Sequence, residues 1–234
     1  MAVHTYTANM GTCNAFMLAL YIRENGNGVK GTAWSEHPSG FYTQVMNFYQ
    51  ATNFREFFES NLFYYEEYTR RFRNELISQI GWEWFAQYGV NPGNARIYST
   101  VSQSWWSLHG IIDGVSCVLI DRGGLEIGSI VAIVHEFAHR FDQIGGIWYD
   151  TNAEFRGWCI EAMNYDTVSS AYNTRAVAHE YVVRAYTVIY FEDTGNKTES
   201  DFWRRQEKEE RGFVHIDEVI EMLREHDARS LSVH

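Results

Sequence analysis

The sequence has little proline and contains no long apolar run. Its two prolines, Pro38 and Pro92, leave no proline-rich linker, and we find no internal repeat or low-complexity tract. Because no stretch reaches about 18 consecutive apolar residues, we expect no transmembrane helix. The N-terminus also lacks the positively charged region of a secretory signal peptide. We therefore expect a soluble chain. A secreted protein or a delivered effector is the favoured setting, although no signal peptide is visible in this chain.

Cysteine is scarce as well, with Cys13, Cys117 and Cys159 in the whole chain. Their spacing matches neither a zinc knuckle nor a C-x-x-C motif, and the odd number leaves at least one thiol without an intrachain partner. Cys117 lies in an apolar strand-like run and Cys159 in an aromatic helix-like run, so both are predicted to be small core residues. The sequence leaves open whether any of the three pair.

Basic residues are outnumbered by acidic ones, and the net charge is −11 with an isoelectric point of about 5.2. The short basic clusters at residues 70–73 and 204–205 are interspersed with glutamate and resemble solvated helix faces. A nucleic-acid-binding protein normally presents a basic face. We therefore expect no nucleic-acid partner.

An H-E-x-x-H motif, His135 to His139, stands inside an apolar run. The pattern predicts one helix over residues 129–144, with Ser129 as N-cap and Gly145-Gly146 as the stop. At about 100° per residue, the two histidines are roughly 40° apart on one face. Two imidazoles so placed can bind one Zn²⁺, and the neighbouring Glu136 can take a proton from a metal-bound water.

The alternative is a structural histidine pair without a metal. The predicted helix is apolar on nearly all sides and should therefore be buried. Buried histidines and a buried glutamate need partners, because an unpaired buried polar group costs several kcal/mol, roughly 2–7. A single zinc ion would satisfy them, so we favour the zinc site.

A catalytic zinc usually keeps three protein ligands and one open position. Asp at position 142 and Gly at position 145 exclude the spacing in which a third histidine follows on the same segment. Four downstream side chains are candidates: Glu154, Glu161, His179 and Glu180. Glu180 is favoured because it is the one carboxylate in an otherwise apolar predicted helix, where a lone charge needs a strong partner. The other three stay open.

The segment from His135 to Asp142, followed by Glu180 to Tyr186, resembles the anthrax lethal factor-like and Pro-Pro endopeptidase-like zinc metallopeptidases. The resemblance covers roughly residues 115–195. It implies a zincin-like domain with zinc ligands His135, His139 and Glu180, and with Glu136 as the base. The family also has a tyrosine seven residues before its ligand glutamate, where it stabilises the oxyanion.

Two positions depart from that family. Asn173 stands where the family has its tyrosine, and a loop longer by one residue would give the role to Tyr172. Arg184 stands where the family has a further glutamate. Asp142 shares the face of both histidines, where it can accept an N–H from a ligand histidine or serve as a helix-end hydrogen-bond acceptor.

The predicted fold is α+β and mostly helical, a zincin-like metallopeptidase domain with a small sheet before the motif helix. We expect a single domain over residues 1–234, with a mostly helical N-terminal lobe (1–110) and a metal-binding catalytic lobe (111–234). Helices are predicted at 13–24, 53–80, 153–163, 175–191 and within 199–228, and strands at 95–101 and 115–121.

The expected function is hydrolysis of peptide bonds in a protein or peptide substrate by a glutamate-activated, zinc-bound water. Two alternatives stay open. One is a metal hydrolase acting on a non-peptide bond, and the other is a catalytically silent, zinc-containing binding or toxin-accessory module. The sequence gives no prediction of the oligomeric state, the cleavage site or the delivery route.

Overall fold

The computed structural model describes residues 47, 51–90, 93, 95–99, 106–112, 115–121 and 127–231. The chain divides into two compact units, residues 1–74 with 110–114 and residues 75–109 with 115–234. The predicted helix at 13–24 and Cys13 lie outside the described residues. The single domain with a lobe boundary near residue 110 stays a prediction.

In the first unit, α1 spans Phe54–Ser60 and α2 spans Leu62–Arg71. A π-helix (Phe72–Leu76) and a 3₁₀ turn (Ile77–Gln79) follow along the chain. The prediction of one continuous helix over 53–80 is therefore wrong. The interruption at Asn61 has a local cause, because its side-chain amide donates to the carbonyl of Phe57 at 2.7 Å and competes with the helical backbone bonds.

From Trp82 onward, helices outnumber strands. The elements are α3 (Trp82–Gln87), β1 (Ala95–Ser99), β2 (Trp106–Ile112), β3 (Val115–Asp121), α4 (Ile127–Ala138), α5 (Asp142–Thr151), α6 (Ala153–Ala162), α7 (Asp166–Ser169), α8 (Thr174–Asp193), α9 (Lys197–Arg205) and α10 (Ile216–Leu231). A second π-helix (Gln206–Glu210) joins α9 to the segment before α10. The mostly helical class is confirmed. β3 is the central strand, and β1 pairs with it in parallel, from Ala95 opposite Ser116 to Ser99 opposite Ile120.

The second unit is built around α8. This helix packs against α4, α5, α6, α9 and α10, and 14 of its 20 residues are buried. A helix that is apolar on all sides belongs in a core, and that is where the sequence pattern over residues 175–191 predicts it. Asn173 caps its first turn by accepting from the backbone N–H of Ala176 at 3.0 Å. Any charged side chain in the middle of α8 therefore has to find a partner inside the protein.

Aromatic rings join α3, α4 and α8 next to the motif. Phe85 and Phe137 meet edge to face with ring centroids 4.8 Å apart, and Phe141 lies 4.3 Å from Tyr186. Phe85, Phe137 and Tyr186 are at most 1% exposed. Burying each such ring contributes about 1.5–3 kcal/mol, so the segment that carries the motif is firmly anchored.

The glycine pair does not end the motif helix. α4 ends at Ala138, a 3₁₀ turn covers His139–Phe141, and α5 runs through both glycines. The predicted stop at Gly145-Gly146 is therefore wrong, since α5 continues to Thr151, and the predicted N-cap at Ser129 is wrong because α4 already begins at Ile127. A Cβ atom on Gly145 would lie 2.2 Å from the carbonyl oxygen of Ala178. Glycine is needed there because α5 and α8 approach each other closely, and not because a helix ends.

Among the described helices, none has the length and apolar character needed to cross a membrane.

Candidate metal centre

The two motif histidines face one another at the junction between α4 and the 3₁₀ turn. His135 lies in the last turn of α4 and His139 opens the 3₁₀ turn. Their ring centroids are 5.4 Å apart and the rings are nearly perpendicular, at 88°. Each side chain is 19% exposed. His135 and His139 are still one helical turn apart, as the motif predicts, because the 3₁₀ turn begins only at His139.

Glu180 reaches the same point from the middle of α8. Its Oε2 lies 3.7 Å from Nε2 of His135, and its Oε1 lies 3.7 Å from Nε2 of His139. One ligand atom from each of the three residues falls within 4.8 Å of the others. The structure thus brings His135, His139 and Glu180 together, as the sequence predicts.

The spacing and the chemistry of these groups fit a metal ion. The 3.7 Å separations are too long for hydrogen bonds, but two ligand atoms at tetrahedral angles on zinc, with bonds of about 2.0–2.2 Å, lie about 3.4 Å apart. Oε2 of Glu180 is buried and forms an ion pair with Nη2 of Arg184 at 2.9 Å, but it accepts no hydrogen bond from the described residues. Two imidazoles and one carboxylate also form a ligand set that catalytic zinc sites use.

Glu136 lies beside the three ligand candidates. Only 7% of this residue is exposed, and its Oε2 is 4.0 Å from Nε2 of His139. A buried carboxylate at this place is close enough to exchange a proton with a water that approaches the three ligand atoms.

Asp142 lies against the other nitrogen of His139. Its Oδ2 is 3.9 Å from Nδ1 of His139 and 3.7 Å from Nδ1 of His179. These separations are too long for hydrogen bonds, so the carboxylate acts on the two rings through its negative charge. Asp142 is also the acidic residue in the first turn of α5, so both roles considered for it stay predictions.

Burial lowers the pKa of His139, and the nearby carboxylates of Glu180 and Asp142 only partly oppose that effect. The lowered pKa favours the neutral imidazole, which is the form that binds a metal.

The other candidates for a third ligand lie elsewhere. Glu161 is exposed and its Oε2 lies 2.9 Å from Nε2 of His215. Glu154 is exposed in the first turn of α6, and Nδ1 of His179 faces Asp142. Within the described part of the chain, none of these three joins the group formed by His135, His139 and Glu180.

Tyr172, the predicted oxyanion residue, lies just before α8 and is partly buried. Its hydroxyl oxygen accepts from Nη2 of Arg184 at 3.3 Å. Burial raises the pKa of Tyr172, and the negative charge of Glu180 raises it further. The neutral phenol is thereby favoured, and its own O–H stays available as a donor. Asn173, at the position of the family tyrosine, is the N-cap of α8 instead.

Sequence reasoning missed the group of charges behind Glu180. Nη2 of Arg184 is 2.9 Å from Oε2 of Glu180, and Nη1 of Arg184 donates to Oε2 of Glu207 at 2.6 Å. Arg211 donates to the other oxygen of Glu207 at 2.9 Å. The i, i+4 spacing from Glu180 to Arg184 was a usable signal. Glu207 gave none, because it stands in the segment Gln206–Glu210, which has the composition of a solvated helix.

A scan against protein-family models, a search of curated proteins and a search of solved structures each find no match to this chain.

Proposed function

We propose that this chain is a zinc-dependent endopeptidase. The observation that carries the proposal is the placement of three ligand atoms: Nε2 of His135 and Nε2 of His139 each lie 3.7 Å from a carboxylate oxygen of Glu180. Glu136 lies buried beside them. A two-histidine, one-glutamate ligand set with a second, neighbouring carboxylate is an arrangement that supports metal-assisted peptide hydrolysis.

His135, His139 and Glu180 would hold one zinc ion. Bound there, zinc supplies a Lewis acid for a peptide carbonyl and lowers the pKa of a coordinated water toward neutrality. The negative charge of Asp142, 3.9 Å from Nδ1 of His139, would favour a proton on that nitrogen and leave Nε2 as the lone-pair donor.

Glu136 would carry the proton through the reaction. Its carboxylate accepts a proton from the attacking water and passes it to the nitrogen of the leaving amine, so that it is regenerated in each turnover. Its burial keeps bulk water from competing for that proton.

The test of the metal site is the metal content of the purified chain, measured by elemental mass spectrometry. We expect about one zinc per wild-type chain and a sharp loss in Glu180→Ala, because two protein ligands hold zinc far more weakly than three. Glu154→Ala is the matched control, since Glu154 is an exposed carboxylate in the same unit. A wild-type chain that takes up no zinc even when supplied with it would reject the proposal, and zinc retained in Glu180→Ala would reject Glu180 as a ligand.

The substrate class is tested by digestion of a peptide pool and of denatured proteins. We expect cleavage of internal peptide bonds, abolished by a chelator and restored by zinc. A zinc-loaded chain that cleaves no peptide but hydrolyses another ester or amide would identify a non-peptide hydrolase. A zinc-loaded chain without any hydrolysis would identify a binding module.

Tyr172→Phe tests the oxyanion role proposed for the tyrosine. We expect kcat to fall about 10²-fold, the effect of removing one oxyanion donor, with KM and zinc content little changed. The measurement is steady-state kinetics on a cleaved peptide. Tyr149→Phe, on the neighbouring α5, is the control and should keep full activity. Unchanged kcat in Tyr172→Phe would remove the residue from the mechanism.

A further inference from the structure

Arg184 follows Glu180 by one turn of α8, and its guanidinium reaches back to the carboxylate. Nη2 is 2.9 Å from Oε2 of Glu180. The same nitrogen donates to the hydroxyl oxygen of Tyr172 at 3.3 Å. Arg184 thus contacts both a proposed metal ligand and the residue proposed to bind the oxyanion.

This guanidinium is held rigidly and out of solvent. Arg184 is 6% exposed and Glu207, which accepts from Nη1 at 2.6 Å, is 4% exposed. The guanidinium carbon also lies 4.4 Å from the ring centre of Phe213, within the range of a cation–π contact. Arg211 in turn holds the second oxygen of Glu207. Nε of Arg184 has no hydrogen-bond partner among the described residues, so the position of the guanidinium is set by its two terminal nitrogens and by the Phe213 ring.

The two oxygens of Glu180 therefore have different surroundings. Each oxygen lies 3.7 Å from one ligand histidine, Oε2 from Nε2 of His135 and Oε1 from Nε2 of His139. Only Oε2 is also paired with the guanidinium of Arg184, at 2.9 Å. A positive charge beside one oxygen of a carboxylate draws negative charge to that oxygen and favours metal binding through the other one. A ligand that binds through one oxygen leaves a zinc site its open position for water.

We propose that Arg184 is a positioning residue: it holds Oε2 of Glu180 so that this side chain binds the metal through Oε1 alone. Glu207 provides the balancing charge that allows an arginine to be buried at this place. This inference rests on the proposed function, because it concerns the same metal site.

The experiment compares Arg184→Met with the wild-type chain, using zinc and cobalt as probes. Zinc affinity is measured by competition with a chromophoric chelator, and the visible absorption spectrum of the cobalt-loaded chain reports the coordination number. We expect zinc to bind about 10- to 100-fold more weakly in Arg184→Met, the usual effect of losing a group that orients a ligand. We also expect a weaker cobalt absorption band, because a released Glu180 can bind through both oxygens and raise the coordination number.

In Arg184→Met, the buried carboxylate of Glu207 loses its partner, and this loss alone can lower the free energy of unfolding. The double variant Arg184→Met/Glu207→Gln removes both buried charges, so it is expected to recover stability and still to bind zinc weakly, with the altered cobalt spectrum. Arg175→Met is the matched control, since Arg175 lies on α8 but pairs with the exposed Asp150. Its zinc affinity and cobalt spectrum should match the wild type.

Two results would overturn the inference. If the folded single or double variant keeps the wild-type cobalt spectrum, or binds zinc as tightly as the wild type or more tightly, Arg184 has no positioning role. If the wild-type chain binds neither ion, the proposed function fails and this inference fails with it. The two failures are distinct, because only the second affects the wild-type chain.

Discussion

A Glu136→Gln variant is expected to bind zinc as the wild-type chain does and to cleave peptides between about 10²- and 10⁴-fold more slowly. Glutamine keeps the size of the side chain and its place in a position that is only 7% exposed, so the fold and the three ligand candidates should be unaffected. It lacks the basic oxygen that would take a proton from water. The measurement is kcat on a cleaved peptide together with zinc content by elemental mass spectrometry.

Glu154→Gln provides the matched comparison, since the same change is made in an exposed glutamate of α6. It should keep wild-type kcat. Full activity of Glu136→Gln would show that another group moves the proton, and the assignment of Glu136 as base would have to be given up. Loss of zinc along with activity would instead place Glu136 among the groups that build the metal site.

Gly145→Ala is expected to lower the free energy of unfolding by about 2 kcal/mol and to weaken zinc binding. The added Cβ would lie 2.2 Å from the carbonyl oxygen of Ala178, where backbone faces backbone and no flexible side chain can move aside. A clash with rigid backbone is at the upper end of the usual overpacking cost of about 1–3 kcal/mol, and the roughly 1 kcal/mol that alanine gains over glycine in a helix reduces it to about 2 kcal/mol. Because Ala178 is two residues before Glu180, separation of α5 and α8 also moves the carboxylate. Urea unfolding and a zinc titration measure the two effects.

Gly157→Ala is the control, because a Cβ at this position in α6 would have no neighbour within 4 Å. The substitution should raise the free energy of unfolding by about 0.5–1 kcal/mol through helix propensity alone. If Gly145→Ala stabilised the chain as much as Gly157→Ala does, the close approach of α5 and α8 would not be a constraint on this fold.

The sequence predicted those parts of the site that depend on local periodicity. The i, i+4 histidines needed only the geometry of one helical turn, and Glu180 stood out because it interrupts an apolar helix that runs close to its predicted bounds. Asn173 could have been recognised as the N-cap of α8, a role that occupies its side chain. Tyr172 instead contacts Arg184, which pairs with Glu180.

Other features depend on contacts between residues that are distant in the sequence. The Gly145-Gly146 pair has the composition of a helix stop, and only the nearness of Ala178 explains why a helix continues through it. Glu207 stands among charged neighbours, and nothing local indicates that it is buried against Arg184, 23 residues earlier. Such packing and pairing are set by tertiary structure, which a single sequence does not reveal.

The burial of α8 on all sides bears on which insertions and deletions the chain can tolerate. One residue inserted between Thr174 and His179 would rotate everything after it by about 100° relative to the capped end. Because α8 is buried on all sides, every face of it is fitted to a particular neighbour. A rotated helix would therefore present the wrong side chains to each of them. The segment before Asn173 has no such restriction, since residues 169–171 are exposed. In related chains we therefore expect insertions and deletions before Asn173 and none between Asn173 and Glu180. The number of residues between these two positions should be kept more strictly than the residue types.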